Sequence, residues 1–184
     1  MTFPSVWGMW ILLILLPGVL SQDCQRLQLQ EVFNKDAQNL LRAVGGPFPS
    51  ECKTMRESLR TKSLNLHHLV KRLQTQDKIQ IVHQTLRHIS KIYSMNLRSV
   101  TWDRDKVEHF RLLLDRQLSE LEECVRNPGS NLRRNSAIHN YFRKLEKFLN
   151  QEGFSDCAWE IIRTETRTRL QQLLFVTAQI SRRN

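Results

Sequence analysis

Apolar residues along the chain recur at intervals of three and four, the period of an α-helix, and almost nowhere alternate as a strand requires. Leu29, Phe33, Ala37, Leu40 and Val44 form the first stripe, which Gly45, Gly46, Pro47 and Pro49 terminate. Ile79, Val82, Leu86, Ile89 and Tyr93 form the second long stripe. Val107, Phe110, Leu114, Leu118, Leu121 and Val125 form the third, broken by Asn127, Pro128 and Gly129. The fourth is Ile138, Tyr141, Phe142, Leu145 and Phe148, stopped near Gly153. Ser155 suits the N-cap of the fifth, and Asp156 suits its first turn. That stripe runs through Ala158, Ile162, Leu170, Leu173, Leu174 and Ile180, yet residues 163–169 carry no apolar side chain. Each segment is apolar on one side only, so the pattern predicts an all-α bundle of five main helices. Residues 50–75 are less regular, with Leu66, Leu69, Val70 and Leu73 predicting a short helix inside a long connection.

The first 21 residues stand outside this pattern. They contain no charged side chain and carry an apolar run from Trp10 to Leu16. The run is too short to span a bilayer core, which needs about 20 residues. Val19 and Ser21 are small residues at the positions of a cleavage site, so residues 1–21 read as a signal peptide cut after Ser21. Residues 22–184 are then a single domain of a secreted, extracellular protein.

Export changes the reading of the cysteines. Cys24, Cys52, Cys124 and Cys157 all follow the cleavage site, and an even count in an exported chain predicts two disulfides. Spacing alone leaves three pairings open. Structural zinc sites use close cysteine pairs, and these gaps of 28, 72 and 33 residues do not fit one.

Among 184 residues, 28 Lys and Arg oppose 18 Asp and Glu, a net charge of +10. That balance favours acidic partners. The basic residues are spread over every predicted helix, and no nucleic-acid-binding pattern occurs, so nucleic acid is not an expected partner. Outside the cell, heparan-type polyanions suit the charge, with Arg133 and Arg134, Arg143 with Lys144 and Lys147, and Arg182 with Arg183 as candidates.

Catalytic signatures are absent. The chain lacks the nucleophile-elbow, zinc-protease, phosphate-loop and dinucleotide-binding motifs. No two of its six histidines are spaced to share a helix face as metal ligands. The chain therefore reads as no enzyme, with neither cofactor nor metal.

One string is specific. Cys157-Ala158-Trp159-Glu160-Ile161-Ile162-Arg163 resembles the signature of the last helix of type I interferons in their four-cysteine form. Trp102-Asp103 with Leu118 to Val125 resembles the family's third helix, Tyr141-Phe142 with Leu145 and Leu149 its fourth, and Val82-His83 with Ile89 to Tyr93 its second. The resemblance covers Gln22 to Arg169 and is weakest in residues 53–75. It implies an up-up-down-down helical cytokine bundle with disulfides Cys24–Cys124 and Cys52–Cys157. It implies a secreted antiviral cytokine, active as a monomer, that bridges a heterodimeric class II cytokine receptor and triggers JAK-STAT signalling. By motif, Arg56 and Arg163 correspond to receptor anchors and His83 to a position on the second receptor face. Trp159 corresponds to a core position. A cationic host-defence protein acting on microbial membranes is the alternative that the charge permits.

Overall fold

The computed structural model describes residues 27–59, 63–125 and 135–181. Residues 1–26, with the expected signal peptide and Cys24, lie outside the described residues. The described residues contain seven α-helices and no strand. Five are long: α1 (Leu27–Ala43), α4 (Thr75–Tyr93), α5 (Arg104–Val125), α6 (Ser136–Gln151) and α7 (Asp156–Ser181). These follow the five apolar stripes. The other two, α2 (Lys53–Ser58) and α3 (Leu66–Val70), occupy the long first connection. The count of helices is thus seven rather than five, because this connection folds into two short turns of helix against α7.

Contacts between helix ends fix the directions. Gln76 at the start of α4 donates to the Cys124 carbonyl at the end of α5, at 2.8 Å. Arg111, near the start of α5, donates to the Tyr93 carbonyl at the end of α4, also at 2.8 Å. Those two helices are antiparallel. Lys78 meets Gln179 at 3.0 Å while Tyr93 packs on Trp159 with ring centroids 5.7 Å apart, so α4 also runs against α7. Gln30 donates to the Gln117 carbonyl at 3.3 Å, and the Asp103 N–H donates to Val44 at 3.4 Å, so α1 runs against α5. Helices α1, α4, α5 and α7 therefore run up, up, down and down. Helix α6 runs with α4, joined through Gln84 to Asn135 and Lys91 to Glu146.

Local chemistry sets the helix starts. The Asn135 side chain accepts from the N–H groups of Ala137 and Ile138, capping α6. Asn65 caps α3 by accepting from His68, and Ser155 accepts from Ala158 at the head of α7. Each such cap contributes about 1 kcal/mol. Gly153 and Phe154 both take positive φ to turn the chain from α6 into α7, a conformation that glycine adopts freely and phenylalanine does not.

The core is continuous from α1 to α7 and includes Leu41, Leu86, Ile89, Phe110, Leu114, Phe142, Ile162 and Leu173. Near one end of the bundle, Tyr93, Trp102, Phe110 and Trp159 form an aromatic cluster. Tyr93 and Phe110 meet edge-on at 4.8 Å, and Trp102 meets Trp159 at 6.1 Å. Such pairs contribute roughly 0.5–1.5 kcal/mol each beyond area burial. Cys52 is bonded to Cys157, with Cα atoms 5.1 Å apart, which fastens the first connection to the head of α7. Cys124 is buried and disulfide-bonded; Cys24, its expected partner, lies outside the described residues.

Candidate functional site

Helices α1 and α7 pack closely along their length, and the polar segment of α7 lies against α1. The reason this segment can be polar is Arg163, whose side chain is only 2% exposed. Its Nη1 donates to the carbonyls of Leu41 at 2.9 Å and Gly45 at 3.3 Å, and its Nη2 donates to Gly46 at 2.7 Å. Leu41 lies in the last turn of α1, where carbonyls lack intrahelical partners, and Gly45 and Gly46 follow the helix end. Glu160, one turn earlier on α7, takes two more donors from Arg163, at 3.0 and 2.6 Å. The other Glu160 oxygen accepts from the Trp102 indole N–H at 2.6 Å. A buried ion pair is sustained when its remaining hydrogen-bonding capacity is filled, as it is here. Gly45 completes the arrangement. A Cβ there would lie 3.1 Å from Arg163 Cζ, Glu160 Oε1 and Trp102 Nε1.

Arg163 corresponds by motif to a receptor anchor, but here it faces inward and holds the end of α1. Its five donor contacts lie within the protein, so its guanidinium presents no free fork to a partner. His83 is likewise interior, 5% exposed on α4. Burial holds its imidazole below the ordinary pKa of 6.5, and Arg87 adds to the shift while Glu122 on α5 opposes it. Arg56 is exposed on α2, with its guanidinium 5.5 Å from the Phe48 ring centroid. Trp159 is fully buried, and its indole N–H donates to the Asn96 carbonyl at 3.0 Å.

Immediately outside the Arg163 latch lies a groove of about 250 Å³ between α1 and α7, lined by Gln38, Arg42, Thr164, Arg167, Thr168 and Gln171. Its lining contains no carboxylate. The Thr164 hydroxyl donates to the Glu160 carbonyl and that of Thr168 to the Thr164 carbonyl. The amide nitrogen of Gln38 is buried and makes no hydrogen bond. Desolvation, then the charges of Arg163 and Arg42, push the pKa of Arg167 down. Two cations and an unfilled donor in the lining, with no carboxylate, are groups of the kind that hydrogen-bond carboxylates and other oxyanions. Sequence reasoning did not single out Arg42 or Arg167. The signal was present in the segment 163–169 without apolar residues and just after it, where Thr164, Thr168 and Gln171 repeat at helical spacing.

Elsewhere, Arg143, Lys144 and Lys147 are exposed on α6. The other two basic pairs, Arg133 with Arg134 and Arg182 with Arg183, lie outside the described residues. Among the described residues, no group of His, Cys, Asp or Glu is arranged to hold a metal, and no helix is long and apolar enough to cross a membrane.

The helix directions define an all-α, up-up-down-down bundle. Residues 26–180 match the interferon alpha/beta domain, and the chain belongs to that family. It is a cytokine and not an enzyme. Interferon a3 of Oncorhynchus mykiss is 37% identical over 106 residues, a match spanning 57% of this chain and 59% of that protein. Interferon alpha-F of Bos taurus is 27% identical over 168 residues, spanning 86% of this chain and 88% of that one. The solved structure of zebrafish interferon 1 superposes with a TM-score of 0.72 at 27% identity, covering 85% of this chain and 99% of that one.

Proposed function

We propose that the protein is a secreted type I interferon-like antiviral cytokine that bridges two receptor chains and triggers JAK-STAT signalling and antiviral gene expression. Residues 1–21 are the signal peptide in this reading, and residues 22–184 act as a monomer. The family match over residues 26–180 carries the proposal. In this reading Arg42 and Arg167 of the α1/α7 groove receive acidic side chains of one receptor chain, and exposed Arg56 lies on the connection that packs against α7. Arg163 acts beneath that surface. The exposed Arg143, Lys144 and Lys147 of α6 support a further contact with heparan-type polyanions. Direct action on microbial membranes is less favoured, because the apolar stripes of the long helices are spent on the core.

The test is a reporter assay in cells that respond to another interferon, with purified oxidised protein and its Arg42→Glu, Arg167→Glu double variant. Induction by the parent and its loss in a variant of unchanged melting temperature support the proposal. A folded parent that induces nothing would overturn it.

A further inference from the structure

A second cavity is lined by residues other than those of the α1/α7 groove. It lies under the connection from α4 to α5, has a volume of about 470 Å³, and is open on one side. That volume falls within the range of about 300–1,000 Å³ for small-molecule sites. The connection over it has no regular secondary structure, yet it is held at several points. The Asn96 carbonyl accepts from Trp159 at 3.0 Å, and Ser99 donates to the Phe154 carbonyl. The Trp102 indole donates to Glu160 at 2.6 Å, and the Asp103 N–H to the Val44 carbonyl at 3.4 Å. These bonds reach α1, α7 and the turn before α7, so the cavity is formed without a ligand.

Its walls divide by chemistry. Leu97, Val100, Trp102 and Val107 supply apolar surface. The charged lining is three cations, Arg98, Arg104 and Arg111, and two carboxylates, Asp105 and Glu108. Arg111 is committed: it donates to the Tyr93 carbonyl at 2.8 Å and pairs with Glu108 at 3.5 Å. Arg98 and Arg104 are exposed and make no ion pair among the described residues, against the single remaining carboxylate of Asp105. The surplus charge at the rim is therefore positive, above an apolar floor.

We infer that this cavity is a binding site for a small amphipathic carboxylate, of the size of a medium-chain fatty acid. The hydrocarbon chain lies against Leu97, Val100, Trp102 and Val107, and the carboxylate meets Arg98 and Arg104. Burial of the chain supplies affinity, and the charged rim sets the orientation and the sign of the ligand.

The test is calorimetric titration of the purified oxidised protein with octanoate, with octanol and acetate as comparison ligands. The expected result is saturable binding of one octanoate, weaker binding of octanol and none of acetate. The Arg98→Glu, Arg104→Glu double variant changes two exposed side chains and should weaken octanoate by about tenfold or more, since both charge-assisted contacts become repulsive. Val100→Trp fills the cavity and should abolish binding at a retained circular-dichroism spectrum. The Arg42→Glu, Arg167→Glu variant should bind octanoate as the parent does. Absence of saturable binding overturns the inference. So does binding unchanged by both cavity variants, or binding lost with the groove variant, which moves the anion to the α1/α7 face. None of these outcomes depends on receptor signalling.

Discussion

Glu160 Oε2 accepts two hydrogen bonds from Arg163, at 3.0 and 2.6 Å, one turn apart on α7 and both out of reach of water. The pair is the junction between α7, the end of α1 and Trp102. Removing one partner of a buried pair strands the other, at a cost of roughly 3–5 kcal/mol. Arg163→Ala should therefore destabilise the protein by that order, read as a lower midpoint in guanidinium chloride. Arg163→Lys should restore only part of this, because an ammonium cannot reproduce the fork. An alanine variant with the parent's stability and weakened receptor binding would return Arg163 to the surface role its motif implies.

Gly45 tests the same junction from the other side. Its Cβ position is 3.1 Å from three atoms of the network, all of them held by hydrogen bonds. Gly45→Ala should cost about 1–3 kcal/mol, the usual range for overpacking a well-filled site. Gly46→Ala serves as the control, since nothing lies within 4 Å of its Cβ position. Thermal melting of the two variants should separate them clearly.

The disulfide offers a third prediction. Cys52 and Cys157 are 105 residues apart in sequence. A loop of about 100 residues yields up to about 4.7 kcal/mol in the chain-entropy model, and measured values are often smaller. The Cys52→Ser, Cys157→Ser double variant should melt well below the parent. Because α2 is short and has no buried residues of its own, amide exchange in residues 53–58 should rise more than in α4.

The stripes made the long helices legible, and the exceptions are informative. The first stripe names Leu40, but Leu41 is the buried residue and Leu40 is only partly so. Adjacent leucines give the periodicity no means to choose, and Leu29 at the other end of the stripe is 41% exposed. In α7 the difficulty is reversed. Arg163, Thr166 and Arg169 are all buried, in the segment that looks least like core. Arg163 is held there by the end of α1, and Arg169 lies over the Tyr141 ring of α6, with Glu165 one turn away on its own helix. Hydrophobic patterning records apolar burial and is silent about buried charge that is satisfied by tertiary contacts. For that reason the spacing of apolar residues gives no sign that Arg163 is buried. The groove cations Arg42 and Arg167 carry no local motif at all; they are brought together by the packing of α1 on α7.

Arg42 and Arg167 give the fourth prediction. Each lines the groove, and neither belongs to the hydrogen-bond network under it. Single reversals to Glu should lower receptor affinity by about 1–2 kcal/mol or more, as hot-spot arginines do, with unchanged melting temperature. Surface titration at two ionic strengths should show the parent's association slowing with salt and the variants' association less salt-dependent. Equal salt dependence in parent and variants would place the receptor's acidic groups elsewhere.

His83 gives a pH dependence whose sign is set by its burial. Its imidazole is held below the ordinary 6.5 mainly by desolvation, with Arg87 assisting and Glu122 opposing. Below pH 6.5 the unfolded chain binds a proton at this position that the folded protein resists, so stability falls as pH drops from there toward the folded value. Above pH 6.5 both states are neutral and the position contributes no slope. The parent's melting temperature should decline on acidification through this window. His83→Gln, which keeps a polar side chain of similar reach but cannot titrate, should flatten that part of the profile. An identical decline in parent and variant would assign the acid sensitivity to other groups.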